Sequence, residues 1–304
     1  MLKIFQLENE PINDESLVQV KQMNNIYEFC YCEHRNNKAF IRLLDKDNYV
    51  VLATGEVKKC EHIENRSENK NQVAQSLKRL RDYINTNVVE PSHCKWITLT
   101  YKENMQDTKR LYLDFKNFIK RFKYNYGNFE YIVAREPQAR GSWHCHLIVI
   151  FDKKAPYINN KVVEDLWKQG FTKTQKLNDI DNVGAYLTAY LGDLELNDTN
   201  ILELTEKGLD VSKMAIKTID LESTKKNDKK FIKGGRLYLY PPKFNIYSIS
   251  KGIKKPQLSY LSYHVAKEKA GLLAPTYSKT ISLIDQENDF SNKIIYEYYN
   301  TKRK

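Results

Sequence analysis

The 304-residue chain contains no stretch approaching the roughly 20 apolar residues needed to span a bilayer. Its longest apolar run, Leu147 to Phe151, is only strand-sized. The N-terminus, Met1-Leu-Lys-Ile-Phe-Gln, has no apolar core followed by a small-residue cleavage site, so export is not expected. Cysteine is sparse: five residues, an odd number at irregular spacings, argue against a disulfide scaffold and for a reducing cytoplasm. There is no Gly-x-x-x-x-Gly-Lys-Ser/Thr and hence no recognisable P-loop. Nor is there an internal repeat, or a low-complexity tail beyond Lys302-Arg-Lys304.

What remains is a basic globular composition. Lys and Arg number 49 against 38 Asp and Glu, giving a net charge of +11 and a pI near 9.1, with 41% hydrophobic and 29% charged residues. Such an excess points to a polyanionic partner, of which nucleic acid is the commonest. An AT-rich coding sequence, suggested by the abundant Lys, Asn, Ile and Tyr, gives the same excess without any partner. Charge alone leaves both readings open.

Local patterning divides the chain into residues 1–64, 65–200 and 201–304. In the first part Tyr27 to Cys32, Ala39 to Leu44 and Tyr49 to Thr54 are short β-rich runs between turn clusters, with Asp45 and Asp47 as turn residues. From about Asn69, Val73, Leu77, Leu80 and Ile84 recur at helical steps. The middle part is richer. Trp96 to Tyr101 predicts a strand, and Asp107 can cap a helix whose stripe is Leu111, Phe115, Phe118 and Phe122, with Lys109, Arg110, Lys116, Lys120 and Lys123 outside it. Phe129 to Glu136 and Trp143 to Phe151 predict strands joined by a turn over Pro137 to Ser142. A short helix through Val162 and Trp167 stops near Gly170, and Phe171 to Leu177 alternates like an edge strand. The order β-α-β-β-α-β is that of a ferredoxin-like antiparallel sheet, an α+β fold. Further helices are expected from about Asn182 to Leu194 and from about Ser259 to Leu272.

Two clusters carry chemical potential. His144 and His146 flank Cys145 on a strand, so both imidazoles project from one face, about 7 Å apart, and can share a metal ion. Glu136, at the end of the preceding strand, is a natural oxygen ligand if the register brings it alongside. The plainer reading is a pair of half-exposed histidines without a ligand. Tyr186 and Tyr190, four apart on the expected helix, put both hydroxyls on one face, beside an apolar stripe of Val183, Leu187, Leu191 and Leu194. Boundary packing would produce the same spacing.

Together these motifs resemble the HUH endonucleases, the nicking enzymes of rolling-circle replication initiators from plasmids and single-stranded DNA phages. Trp96 to Tyr101 is similar to their first motif, Glu136 through His144-Cys-His146 to their metal motif, and Tyr186-Leu-Thr-Ala-Tyr190 to their tyrosine motif. The resemblance runs from about Arg66 to Pro256. It implies a ferredoxin-like core followed by a tyrosine-bearing helix, with accessory segments at both ends. It further implies nicking of single-stranded origin DNA through a covalent 5′-phosphotyrosine, with rejoining at termination. His144, His146 and Glu136 would hold Mg²⁺ or Mn²⁺; Tyr186 would attack first and Tyr190 act at termination. The partners implied are origin DNA, a host helicase and the host replication machinery. A relaxase or transposase of a mobile element, or a catalytically silent DNA-binding regulator, would share these motifs. Many relatives carry lysines where this chain has Ala189 and Asp193. Arg135, Arg140 or a lysine of the 225–236 segment (Lys225, Lys226, Lys229, Lys230, Lys233 and Arg236) could supply the missing charge. Basic and aromatic residues, Tyr238 and Tyr240 among them, interleave as far as Lys255. They suit either a groove with stacking platforms or a basic loop followed by ordinary strands. Cys30, Cys32, His34, Cys60 and His62 make a structural zinc site conceivable, although the spacing is not that of a usual knuckle.

Overall fold

A computed structural model describes residues 2–35, 39–60, 70–138, 141–177, 194–195, 205, 216–219, 229–232, 237–241, 243–287 and 289–302. The strands β1 (Leu2–Leu7), β2 (Leu17–Met23), β3 (Ile26–Cys32), β4 (Ile41–Leu43), β5 (Asn48–Val51) and β6 (Val57–Lys59) come first. Helix α1 (Lys70–Asn87) is followed by β7 (Cys94–Thr100), α2 (Thr108–Tyr126), β8 (Glu130–Pro137), β9 (Trp143–Ile150), α3 (Asn160–Trp167) and β10 (Thr172–Lys176). Short strands β11 (Leu194–Glu195), β12 (Ile216–Ile219) and β13 (Lys229–Ile232) form a small sheet of their own, and β14 (Tyr247–Ile249) follows. The chain closes with β15 (Gln257–Ser262), α4 (Tyr263–Lys269), β16 (Tyr277–Asp285) and β17 (Phe290–Asn300). The fold is α+β with antiparallel sheets.

The described chain forms two units, one from residues 64–255 and one from residues 1–63 together with 256–304. This differs from the division at 64 and 200 read from local patterning. The reason is long-range pairing: both chain ends contribute to one six-stranded sheet, ordered β1-β16-β17-β3-β2-β15. In it β17 lies against β3, with Tyr299 opposite Tyr27. Helix α4 covers this sheet through Ala266 and Ala270, which share a buried cluster with Val18, Val20, Phe29, Ile295 and Tyr299. The helix expected from Ser259 begins only at Tyr263. Residues up to Ser262 are held as a strand because β2 offers them backbone partners, Ser259 opposite Val20 and Ser262 opposite Leu17.

The other unit is built on a five-stranded antiparallel sheet ordered β10-β7-β9-β8-β14. The elements from β7 to β10 follow the β-α-β-β-α-β order that the sequence predicts. Asp107 caps α2, its carboxylate accepting from Lys109 N at 2.8 Å and Arg110 N at 3.2 Å, and the helix stops at Gly127 with φ +80°. Asn159 caps α3, which ends on Lys168 in the left-handed region.

Strand alternation gives this sheet two different faces. Ile97, Leu99, Val133, Cys145, Leu147 and Val149 form the back face and share a core with the α2 stripe (Leu111, Phe115, Phe118, Phe122) and with Val163 and Trp167 of α3. Ile132, Ala134 and Ile148 lie on the front face, in a separate cluster with Leu80, Ile84 and Val88 of the α1 segment. The front face is therefore apolar toward Ile148 and becomes polar toward the start of β9.

Candidate functional site

That polar end is where the histidines sit. His144 and His146 occupy alternate positions of β9 and share the front face, while Cys145 points into the back core and is fully buried. The strand is anchored at its start. Gly141, at φ +86°, turns the chain, Ser142 Oγ donates to Glu103 O at 3.2 Å, and Trp143 Nε1 donates to Gln106 O at 3.0 Å. On the back face the Trp143 ring stacks on Phe244, with centroids 4.4 Å apart at 23°.

The register places Glu136 opposite His144, and Ala134 opposite His146. Ala134 has nothing beyond Cβ, so the Glu136 side chain can pass over it and reach diagonally. Its Oε2 lies 2.7 Å from His146 Nε2. An ionised carboxylate only accepts, so Nε2 carries the proton in this pair and Nδ1 holds the lone pair. Nδ1 is buried and has no hydrogen-bond partner among the described residues. The two imidazole centroids are 6.2 Å apart at 71°, and Trp96 meets the His146 ring edge-on at 6.0 Å. Burial disfavours the imidazolium more than the nearby carboxylate favours it, pushing the His146 pKa down to about 4. At neutral pH the ring is an uncharged donor, as metal ligation requires. Among the described residues no three His, Cys, Asp or Glu side chains form a ready metal cage, because Glu136 closes on His146 instead.

The other expected site residues fall into two groups. Tyr186, Tyr190, Arg140, Lys225, Lys226, Lys233 and Arg236 lie outside the described residues, as does most of the helix expected over 182–194. Its last expected residue, Leu194, is in β11. Lys229 and Lys230 are in β13, and Tyr238 is in a single 3₁₀ turn over Leu237–Leu239. Arg135 and Tyr240, expected to face DNA, are each only 2% exposed. Tyr240 OH donates to Arg135 O at 3.1 Å. The Arg135 guanidinium lies 4.6 Å over the Tyr112 ring and donates to Ser248 Oγ at 2.8 Å. Both side chains tie β8 to the segment leading into β14, which is a structural task, because odd-numbered β8 residues face the helices rather than the histidines.

Sequence reasoning missed Ala134, whose small size admits Glu136, and Trp96, which walls the His146 ring. Both were legible as members of the front-face alternation once the register was known. In the terminal unit Cys32 Sγ donates to His34 O at 3.2 Å, and His62 lies outside the described residues.

The charge is distributed unevenly. The unit bearing the histidines holds 34 Lys and Arg against 23 Asp and Glu, a net of +11, whereas the terminal unit holds 15 of each. Both are encoded by one gene, so base composition alone does not produce the excess.

Residues 94–195, about a third of the chain, match the family model for the replication-associated protein ORF2. The matched region covers β7 to β10, Glu136 and both histidines, and it runs through Tyr186 and Tyr190. No curated protein and no solved structure matches the chain.

Proposed function

We propose that this protein initiates DNA replication by nicking single-stranded origin DNA with a tyrosine nucleophile and a divalent cation, on a ferredoxin-like HUH core. One observation carries the reading: within the stretch similar to replication-associated proteins, two histidines share a sheet face with a carboxylate already in contact with one of them. The sheet order supports it. With the element order β7-α2-β8-β9-α3-β10, the strands stand as fourth, first, third, second, as in a ferredoxin-like sheet.

The donor set fits a cation. His146 is neutral with an unpartnered Nδ1 among the described residues, His144 is beside it, and Glu136 is in register. These three residues would hold Mg²⁺ or Mn²⁺, binding at the expense of the Glu136–His146 hydrogen bond. The ion would supply Lewis acidity toward the scissile phosphate. The chain supplies the nucleophile. The Tyr186 oxygen bonds to phosphorus, the P–O3′ bond breaks, the tyrosine proton is passed on, and the strand leaves with a free 3′-OH. A tyrosine of ordinary pKa, about 10, needs that electrostatic help at neutral pH. The phosphotyrosine conserves the bond, so Tyr190 can act in a second transfer that rejoins the strand.

The test is a denaturing gel of the full-length protein incubated with Mn²⁺ and single-stranded oligonucleotides from its own replicon. A covalent protein–DNA band is expected, lost in Tyr186→Phe and retained for the first cleavage in Tyr190→Phe. His144→Ala and His146→Ala should each abolish the band while sparing salt-sensitive DNA binding. Absence of an adduct on every origin candidate, with DNA binding intact, would instead identify a silent DNA-binding regulator.

A further inference from the structure

On the opposite side of the same sheet, α2 buries Leu111, Phe115, Phe118 and Phe122 against the back core. Its outer surface carries Lys109, Lys116, Lys120 and Lys123, all exposed. At 100° per residue these four fall within about 60° of the helix circumference, and at 1.5 Å per residue they extend over about 21 Å. The helix has a single carboxylate, Asp114, and it is directed inward, taken up by Tyr101 OH at 3.1 Å and Arg110 Nε at 3.4 Å. None of the four lysines forms an ion pair among the described residues. The exposed Tyr124, at 92%, flanks the row.

Such a row is a cost to the fold. Lys116–Lys120 and Lys120–Lys123 are like-charge neighbours at i,i+4 and i,i+3, a spacing that destabilises a helix. The core stripe lies on the opposite side of α2 and gains nothing from them. Base composition is also a weak explanation, because the terminal unit of the same chain is neutral.

We infer that this face of α2 is a second nucleic-acid surface, a ridge that docks the phosphate backbone of duplex DNA on the side of the sheet away from His144 and His146. The choice of DNA as the polyanion rests on the replication reading. A row of ammonium groups along a straight helix matches one backbone strand. It contacts no base, so it contributes affinity without sequence preference. An initiator held to flanking duplex in this way leaves its histidine face free for the single strand.

The experiment measures binding of full-length protein to a duplex of arbitrary sequence, with chelator present, across a salt series. In the variant carrying Lys109→Ala, Lys116→Ala, Lys120→Ala and Lys123→Ala, duplex affinity should fall about ten- to hundredfold near 100 mM salt. The slope of log K against log salt should shrink by about 3 to 4, near 0.9 per lost phosphate contact. The matching Lys→Arg variant, which keeps the charges, should retain both affinity and slope. An unchanged slope in the alanine variant, or equal loss in the arginine variant, would overturn the proposal. Chelator and duplex exclude cleavage, so failure here is distinguishable from failure of the nicking reading, which is read from a covalent band on single strands.

Discussion

His146 shows how a single side chain is set by its neighbours. Its strand position fixes the face, Ala134 opposite leaves a gap, and Glu136 fills the gap to reach Nε2 at 2.7 Å. Burial then holds the ring neutral, with a pKa pushed down to about 4 from an ordinary 6.5. The consequence for stability has a definite sign. Between pH 6.5 and 4 the unfolded chain takes a proton on this residue and the folded chain does not. Folding stability is therefore fully present above about pH 6.5 and is lost progressively toward pH 4, by about 3 kcal/mol at most. Chemical denaturation in chelator at pH 7.5, 5.5 and 4.5 should show a shallower fall for His146→Gln than for the native chain. Parallel curves would mean that the Glu136 carboxylate, not burial, controls the ring.

At the scale of elements, legibility in the sequence followed the range of the information. The α2 stripe, its Asp107 cap, the short α3 and the β-α-β-β-α-β order all arise from residues within one or two turns of each other, and all are present as read. The metal-motif strands were legible too, including the common face of His144 and His146. What the pattern did not contain was pairing across distance. Strand β15 looked helical until β2 supplied its partners, and Arg135 and Tyr240 looked like surface residues until the register turned them inward. Sheet edges preserve a comparable tension. Lys95 and Lys176 stand directly opposite each other on β7 and β10. Burial, and after it the charges of Lys176 and Lys154, hold the Lys95 pKa below its ordinary value. Like charges directly opposite destabilise a strand pair, and opposite charges stabilise one by about 0.2–1 kcal/mol. Lys176→Glu should accordingly raise the unfolding midpoint modestly, by an amount that shrinks in high salt; a fall at low salt would show that the basic pair serves the fold.

For the molecule as a whole, charge and connectivity point in one direction. The net +11 lies entirely in the unit spanning residues 64–255, which carries the histidines and the α2 ridge, while the unit made from both chain ends is neutral. A neutral unit has no electrostatic claim on DNA, so its contribution to salt-dependent binding should be small. Its architecture makes a sharper forecast. Three of its six sheet strands, β15, β16 and β17, come from the C-terminal end, and β17 is the sole link between β3 and β16 in the strand order. Without it the remaining N-terminal strands β2 and β3 form only a hairpin, with β1 lacking its partner β16, and an isolated hairpin is marginal in water. A chain ending at residue 255 should therefore lose residues 1–63 rapidly to limited proteolysis. It should still yield a stable fragment beginning near residue 64, whose DNA-binding salt slope matches that of the full chain. Protection of residues 1–63 in the truncated chain would show that the N-terminal strands hold together without β17. A much shallower salt slope would show that the neutral unit contacts DNA despite its charge balance.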